Sequence, residues 1–99
     1  MHPKTDKRRL YQLIDMYLAG FITARVFCDE FYYCYDLELD KTHLDDLEIK
    51  LFEELDEVSS RFSEFEEDHK LDPKAFATLA ALKQQIFITR EALKDQWPI

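Results

Sequence analysis

Apolar residues recur at helical spacing in four stretches of the chain, and residues that start or stop helices fall between them. Leu10, Leu13, Ile14, Tyr17 and Leu18 predict a first helix over about residues 6–19, ended by Gly20 in the left-handed position that closes helices. Thr23 is the N-cap of a second helix over about 23–35, with Ala24, Phe27, Cys28, Phe31 and Tyr35 as its stripe. The polar segment Asp36 to Lys41 has no periodicity. Thr42 then caps a third helix over about 43–65, with Asp45 in a near capping box. Leu44, Leu47, Leu51, Leu55, Val58, Phe62 and Phe65 step along it. The run Glu66-Glu67-Asp68-His69-Lys70 breaks the pattern. Asp72-Pro73, a cap followed by a first-turn proline, opens a fourth helix over about 73–96. Its stripe is Ala75, Leu79, Leu82, Ile86 and Leu93, flanked by Phe76 and Phe87, and Trp97-Pro98 ends it.

Four amphipathic helices joined by short links predict an all-α protein, one domain over residues 1–99 folded as an antiparallel four-helix bundle. A long helical hairpin that dimerises is the competing arrangement. The third helix is heptad-like enough for it, but the wide stripes of the second and fourth suit a globular core better. Eight Phe, five Tyr and an apolar fraction of 46% supply that core without disulfides or metal. Cys28 and Cys34, about 240° apart at about 100° per residue, cannot bridge within one helix. Cys28 lies on the apolar face and Cys34 on its edge. No apolar run is long enough to span a membrane, and the start Met1-His2-Pro3-Lys4 lacks the apolar core of a secretory signal. A cytoplasmic location is therefore expected.

Charge changes the picture more than composition does. Between Asp29 and Asp72 lie 17 of the 21 acidic residues and only four Lys or Arg, a net charge of about −13. The rest of the chain has nine basic and four acidic residues, about +5. Such a chain repels nucleic acid and suits a basic protein partner. The basic cluster Lys4, Lys7, Arg8 and Arg9 reads as a solubilising, partly disordered leader.

No nucleophile motif accompanies His2, His43 or His69, so no catalytic residues are assigned and the chain is not expected to be an enzyme. Glu66-Glu67-Asp68-His69 has the Glu-x-x-His spacing of di-iron bundles, but those need a second copy and two further core glutamates. No metal or cofactor is expected.

Three patches are candidates for contact. On the third helix, Ile49 points nearly opposite the core, among Asp46, Glu53, Asp56 and Glu57, like a small anchor with a charged rim. A lone exposed aliphatic is equally ordinary on a surface. On the second helix, Tyr33 and Val26 point away from the stripe beside Asp29 and Glu30. The third patch is the turn Glu64-Phe65-Glu66-Glu67-Asp68, whose acids sit at a helix C-terminus in this reading, where the dipole disfavours each by about 0.3–1 kcal/mol.

The run LYQLIDMYLAGFITARVF, Leu10 to Phe27, resembles the opening of colicin D-type immunity proteins, a family that includes immunity proteins of contact-dependent growth inhibition systems. The resemblance continues through LFEELDEVSSRF, Leu51 to Phe62, the acidic turn, and Leu71-Asp72. It implies a four-helix bundle that binds a cognate nuclease toxin, typically a tRNase, and occupies its basic active-site cleft with acidic side chains in place of RNA phosphates. The region of Arg61 through Asp68 would supply acidic contacts. Charge and resemblance together assign toxin binding to Tyr33, Asp36, Glu38, Ile49 and Glu53, and to Glu64, Glu66, Glu67 and Asp68. The expected complex is one-to-one, with a monomeric inhibitor and neither nucleic acid nor membrane as direct partner. The alternative is an acidic helical adaptor or DNA mimic that binds another basic protein.

Overall fold

The computed structural model describes residues 2–98, so the ends of the expected domain, Met1 and Ile99, lie outside the described residues. The chain is all-α. Its helices are α1 (Arg8–Leu18), α2 (Ala24–Tyr32), α3 (Asp46–Arg61), α4 (Glu66–Leu71) and α5 (Leu79–Ala92). A π-helical turn, Tyr33–Glu38, prolongs α2, and single 3-10 turns stand at Lys41–His43 and Lys94–Gln96. α3 packs chiefly on α5, and α2 joins α1 to α3.

The first two helices follow the sequence signals closely. Gly20 has φ 83°. Phe21 N–H donates to Met16 O at 2.9 Å and Gly20 N–H to Tyr17 O at 3.0 Å, the paired bonds of a Schellman ending. The Thr23 hydroxyl accepts from Val26 N–H at 3.2 Å and starts α2. α2 does not stop at Tyr35. Leu39 N–H reaches back to Cys34 O at 2.8 Å, an i→i+5 bond, and this widened turn brings Leu39 over Cys34 and Tyr35 so that all three are buried. Cys34 is thus a core residue rather than an edge one.

α3 begins three residues later than its first capping signal suggests. Asp40 accepts from Thr42 N–H and closes the Lys41–His43 turn instead. Asp45 is the true N-cap. Its carboxylate accepts from Glu48 N–H at 2.8 Å, and Glu48 accepts from Asp45 N–H at 2.9 Å, a complete capping box. The buried meridian of α3 runs through Glu48, Leu51, Phe52, Leu55 and Ser59. It therefore sits to one side of the expected stripe, and Leu47 and Phe65 are exposed. With Phe52 inside, Ile49 lies about 60° from a core residue rather than opposite the core.

The largest departure follows α3. Helix 3 ends at Arg61, not residue 65, and the expected start of the last helix at Asp72-Pro73 is a turn. Asp72 spends its carboxylate on Lys74 N–H and its carbonyl on Ala75 N–H. α5 starts at Leu79, where the Thr78 hydroxyl accepts from Ala81 N–H at 3.1 Å. Between the two helices, residues 63–76 form an excursion closed at its neck. Ala77 N–H donates to Arg61 O at 2.7 Å, and Ser63 N–H donates to Ala77 O at 3.2 Å.

The core is an aromatic column. Phe27, Phe31 and Tyr35 stack at 5.6 and 5.5 Å along α2 and the π-helical turn, with Phe52 tilted against Phe31 and Tyr35 and Tyr11 edge-on to Phe52. Each fully buried Phe contributes about 1.5–3 kcal/mol of hydrophobic stabilisation. Trp97 clasps the end of the chain onto α1: its indole N–H donates to Asp15 at 2.8 Å and its ring meets Tyr11.

The N-terminal basic cluster is not a disordered leader. Lys7 pairs with buried Glu48 at 3.0 Å and Arg9 with Glu30 at 3.0 Å, while Lys4 lies over the Tyr33 ring. Lys7 and Arg9 thereby each neutralise one acid of the central stretch. Arg8 closes on its neighbour Asp6, and that hydrogen bond holds the Asp6 carboxyl down at about 2.

Candidate partner-binding site

The Ser63–Phe76 excursion is organised by its first residue. Ser63 Oγ donates to the Asp68 carboxylate at 2.5 Å and accepts from Phe65 N–H at 3.1 Å. Its carbonyl accepts from His69 Nε2 at 2.9 Å; a carbonyl can only accept, so this fixes the proton on Nε2. The His69 ring in turn stands edge-on to Phe76. Phe65 is the N-cap position of α4, so Glu66, Glu67 and Asp68 occupy a first helical turn. The dipole favours acids there, which removes the reason for reading them as held in an unfavourable place. Glu66 also pairs with Lys70 at 3.6 Å.

An open groove of about 500 Å³ separates this excursion from α2. It brings Tyr33, Glu64 and Asp68 together, adds Asp29, Tyr32 and Phe65, and has Cys28 in its lining. Tyr32 and Tyr33 meet edge-on at 5.9 Å, and both are half-exposed, as is Phe65. Burial pushes the Cys28 thiol up to about 12, so the thiol in the groove stays protonated at neutral pH. Among the described residues no group of three or more His, Cys, Asp or Glu is gathered as for a metal ion.

The other expected contact residues lie elsewhere. Ile49, Glu53, Asp36, Glu38, Glu66 and Glu67 do not line the groove, the last two standing on α4 beside it. Ile49 is 36% exposed and stands at the fourth position of α3, one turn from buried Phe52. Glu53 accepts from the Tyr35 hydroxyl at 2.9 Å; burial, and then this hydrogen bond, raise the Tyr35 pKa, and Lys41 sits over the Tyr35 ring. Glu38 and Asp36 are exposed on the π-helical turn. Sequence reasoning placed Asp29 beside Tyr33 and Phe65 within the acidic turn but assigned contact to neither, counted Phe65 in the core stripe, and missed Ser63 as organiser. Only the Ser63-to-Asp68 spacing, a hydroxyl ahead of an acid in a polar run, hinted at the last.

Asp36 and Asp56 form a carboxyl pair across the π-helical turn and α3. Burial, then the hydrogen bond to Asp36 and its charge, push the Asp56 carboxyl up to about 7. An unfolded Asp titrates near 3.8. Between those values the folded state holds the extra proton, so this pair's stabilisation is complete below about pH 4 and is lost as pH rises through 7. Solvent screening limits the effect to about 1–2 kcal/mol. Melting temperatures at pH 5 and pH 8 should therefore converge in Asp56→Asn relative to the parent. An unchanged pH difference in that variant rules the shared proton out.

No protein-family model, curated protein or solved structure matches the chain. Among the described residues no helix is long and apolar enough to cross a membrane.

Proposed function

We propose that this protein is an immunity-type inhibitor that binds a bacterial nuclease toxin domain, a tRNA-cleaving one by the resemblance to colicin D-type immunity proteins, and covers its basic cleft. The four longer helices would form the antiparallel bundle of that family, with the π-helical turn, α3 and the 63–76 excursion turned to the partner. One observation carries the reading. Of the acids between Asp29 and Asp72, all but Glu30, Glu48, Asp56 and Asp68 are exposed, while Lys7 and Arg9 are drawn into ion pairs with Glu48 and Glu30. Folding thus leaves most of the acids of this stretch facing outward. A negative field steers a basic cleft toward it and repels nucleic acid.

The test is reconstitution with the nuclease domain encoded beside it. The two should co-purify one-to-one, and tRNA cleavage should stop at equimolar inhibitor. The association rate should fall at least about tenfold between 50 and 500 mM salt. A mixture that neither co-purifies nor loses nuclease activity would overturn the proposal. Capture of a basic protein that is not a nuclease would instead favour an acidic adaptor.

A further inference from the structure

The groove between α2 and the excursion has walls of two kinds, and their combination selects one type of occupant. Tyr32 and Tyr33 form one aromatic wall, one face of Tyr33 being covered by Lys4, and Phe65 stands among the lining residues of the excursion, all three aromatic side chains half-exposed. Asp29 and Glu64 add exposed carboxylates, while Asp68 is already committed to Ser63. Such walls would hold a cation that also stacks. A planar guanidinium does both, lying on an aromatic face while its N–H groups fork to carboxylates; an ammonium is compact, more strongly hydrated and stacks less well.

The groove already holds a guanidinium of its own. Arg25, on the first turn of α2, approaches the Glu64 carboxylate at 3.7 Å, outside hydrogen-bond distance, with its side chain 70% exposed. This loose pair contributes little to stability. It marks the position a cation takes there and is weak enough to give way. A second copy of the chain is a poor occupant, because each carries a formal net charge of −8.

We infer that this groove seats an arginine side chain of the partner, carried on an exposed segment with apolar neighbours, and that Arg25 holds the place until it arrives. The inference rests on the proposed function only in taking the partner to be a basic protein. The groove alone can be tested, by amide NMR titration with the tripeptide amide N-acetyl-Leu-Arg-Leu and its lysine and norleucine counterparts. The arginine peptide should give saturable shifts confined to Tyr32, Tyr33 and residues 63–68. The lysine peptide should bind at least about threefold more weakly, and the norleucine peptide not measurably. Arg25→Ala should tighten arginine binding by about two- to fivefold, and Glu64→Gln should weaken it by as much. Both positions are exposed, so neither variant threatens folding. Shifts scattered over the acidic surface, equal response to lysine, or no effect of either substitution would overturn the inference. The titration needs no nuclease, so its failure counts against the groove alone, and failure of nuclease inhibition counts against the proposed function alone.

Discussion

Replacing Glu48 by Ala is expected to cost about 3 kcal/mol or more and to lower the melting temperature by at least about 12 °C. The side chain is 1% exposed and carries three hydrogen bonds. One oxygen accepts from Lys7 Nζ at 3.0 Å and from Asp45 N–H at 2.9 Å; the other accepts from the Tyr11 hydroxyl at 2.6 Å. One carboxylate thereby ties α1, the residues before it and the start of α3 into a single unit. Truncation leaves the buried Tyr11 hydroxyl without its acceptor and removes half of the capping box. Lys7 is more exposed and regains water, which keeps the loss below that of a fully enclosed ion pair. Glu48→Gln keeps the shape and one acceptor and should lose only about 1–2 kcal/mol, since Gln also serves at this position of a capping box. Tyr11→Phe combined with Glu48→Ala should cost less than the sum of the two single changes. An Ala variant that melts within about 3 °C of the parent would show that the carboxylate is not the tie described here.

This residue also shows where the sequence was readable and where it was not. The helical class and the first two helix boundaries came from Gly20 and Thr23, whose effects are local: one needs only a positive φ, the other only an orphan N–H three residues on. The start of α3 was ambiguous because Thr42 and Asp45 both precede acids. Tertiary structure chose Asp45, since its box partner Glu48 also meets Lys7 and Tyr11 from a distant helix. The same long-range pairing ties an ordinary basic leader onto the fold. Asp72-Pro73 failed as a helix start for a similar reason. Ala77 is drawn into the neck pairing with Arg61 and Ser63, and the helix can begin only after it. The groove was legible in part: Tyr33 as an exposed aromatic on the expected second helix and the acids after Ser63 were visible as types. Their meeting depends on the neck, which no local pattern announces.

The second large effect concerns inhibition. Under the proposed function, Glu64→Lys combined with Glu67→Lys should weaken the nuclease complex by about a hundredfold, mostly through loss of close charge pairs. Both side chains are exposed, so the fold should survive. Lys in the first turn of α4 opposes the helix dipole by only about 0.3–1 kcal/mol, and unchanged far-ultraviolet circular dichroism would verify that the fold is intact. The comparison variant is Glu91→Lys with Asp95→Lys, at the far end of the chain and outside the acidic stretch. It changes net charge by the same amount, so any effect of overall charge is matched, and its affinity should move by less than about threefold. Binding measured at low and at physiological salt separates the two terms. The excess loss in the first variant should persist where screening has erased long-range steering, because contacts across an interface are screened less than distant charges. Equal losses in both variants would mean that the partner senses only the total field, and the 63–76 excursion would have no special place in the complex. No loss in either would move the inhibitory surface away from the excursion altogether, toward the carboxyl pair and Ile49, which lie outside the groove lining.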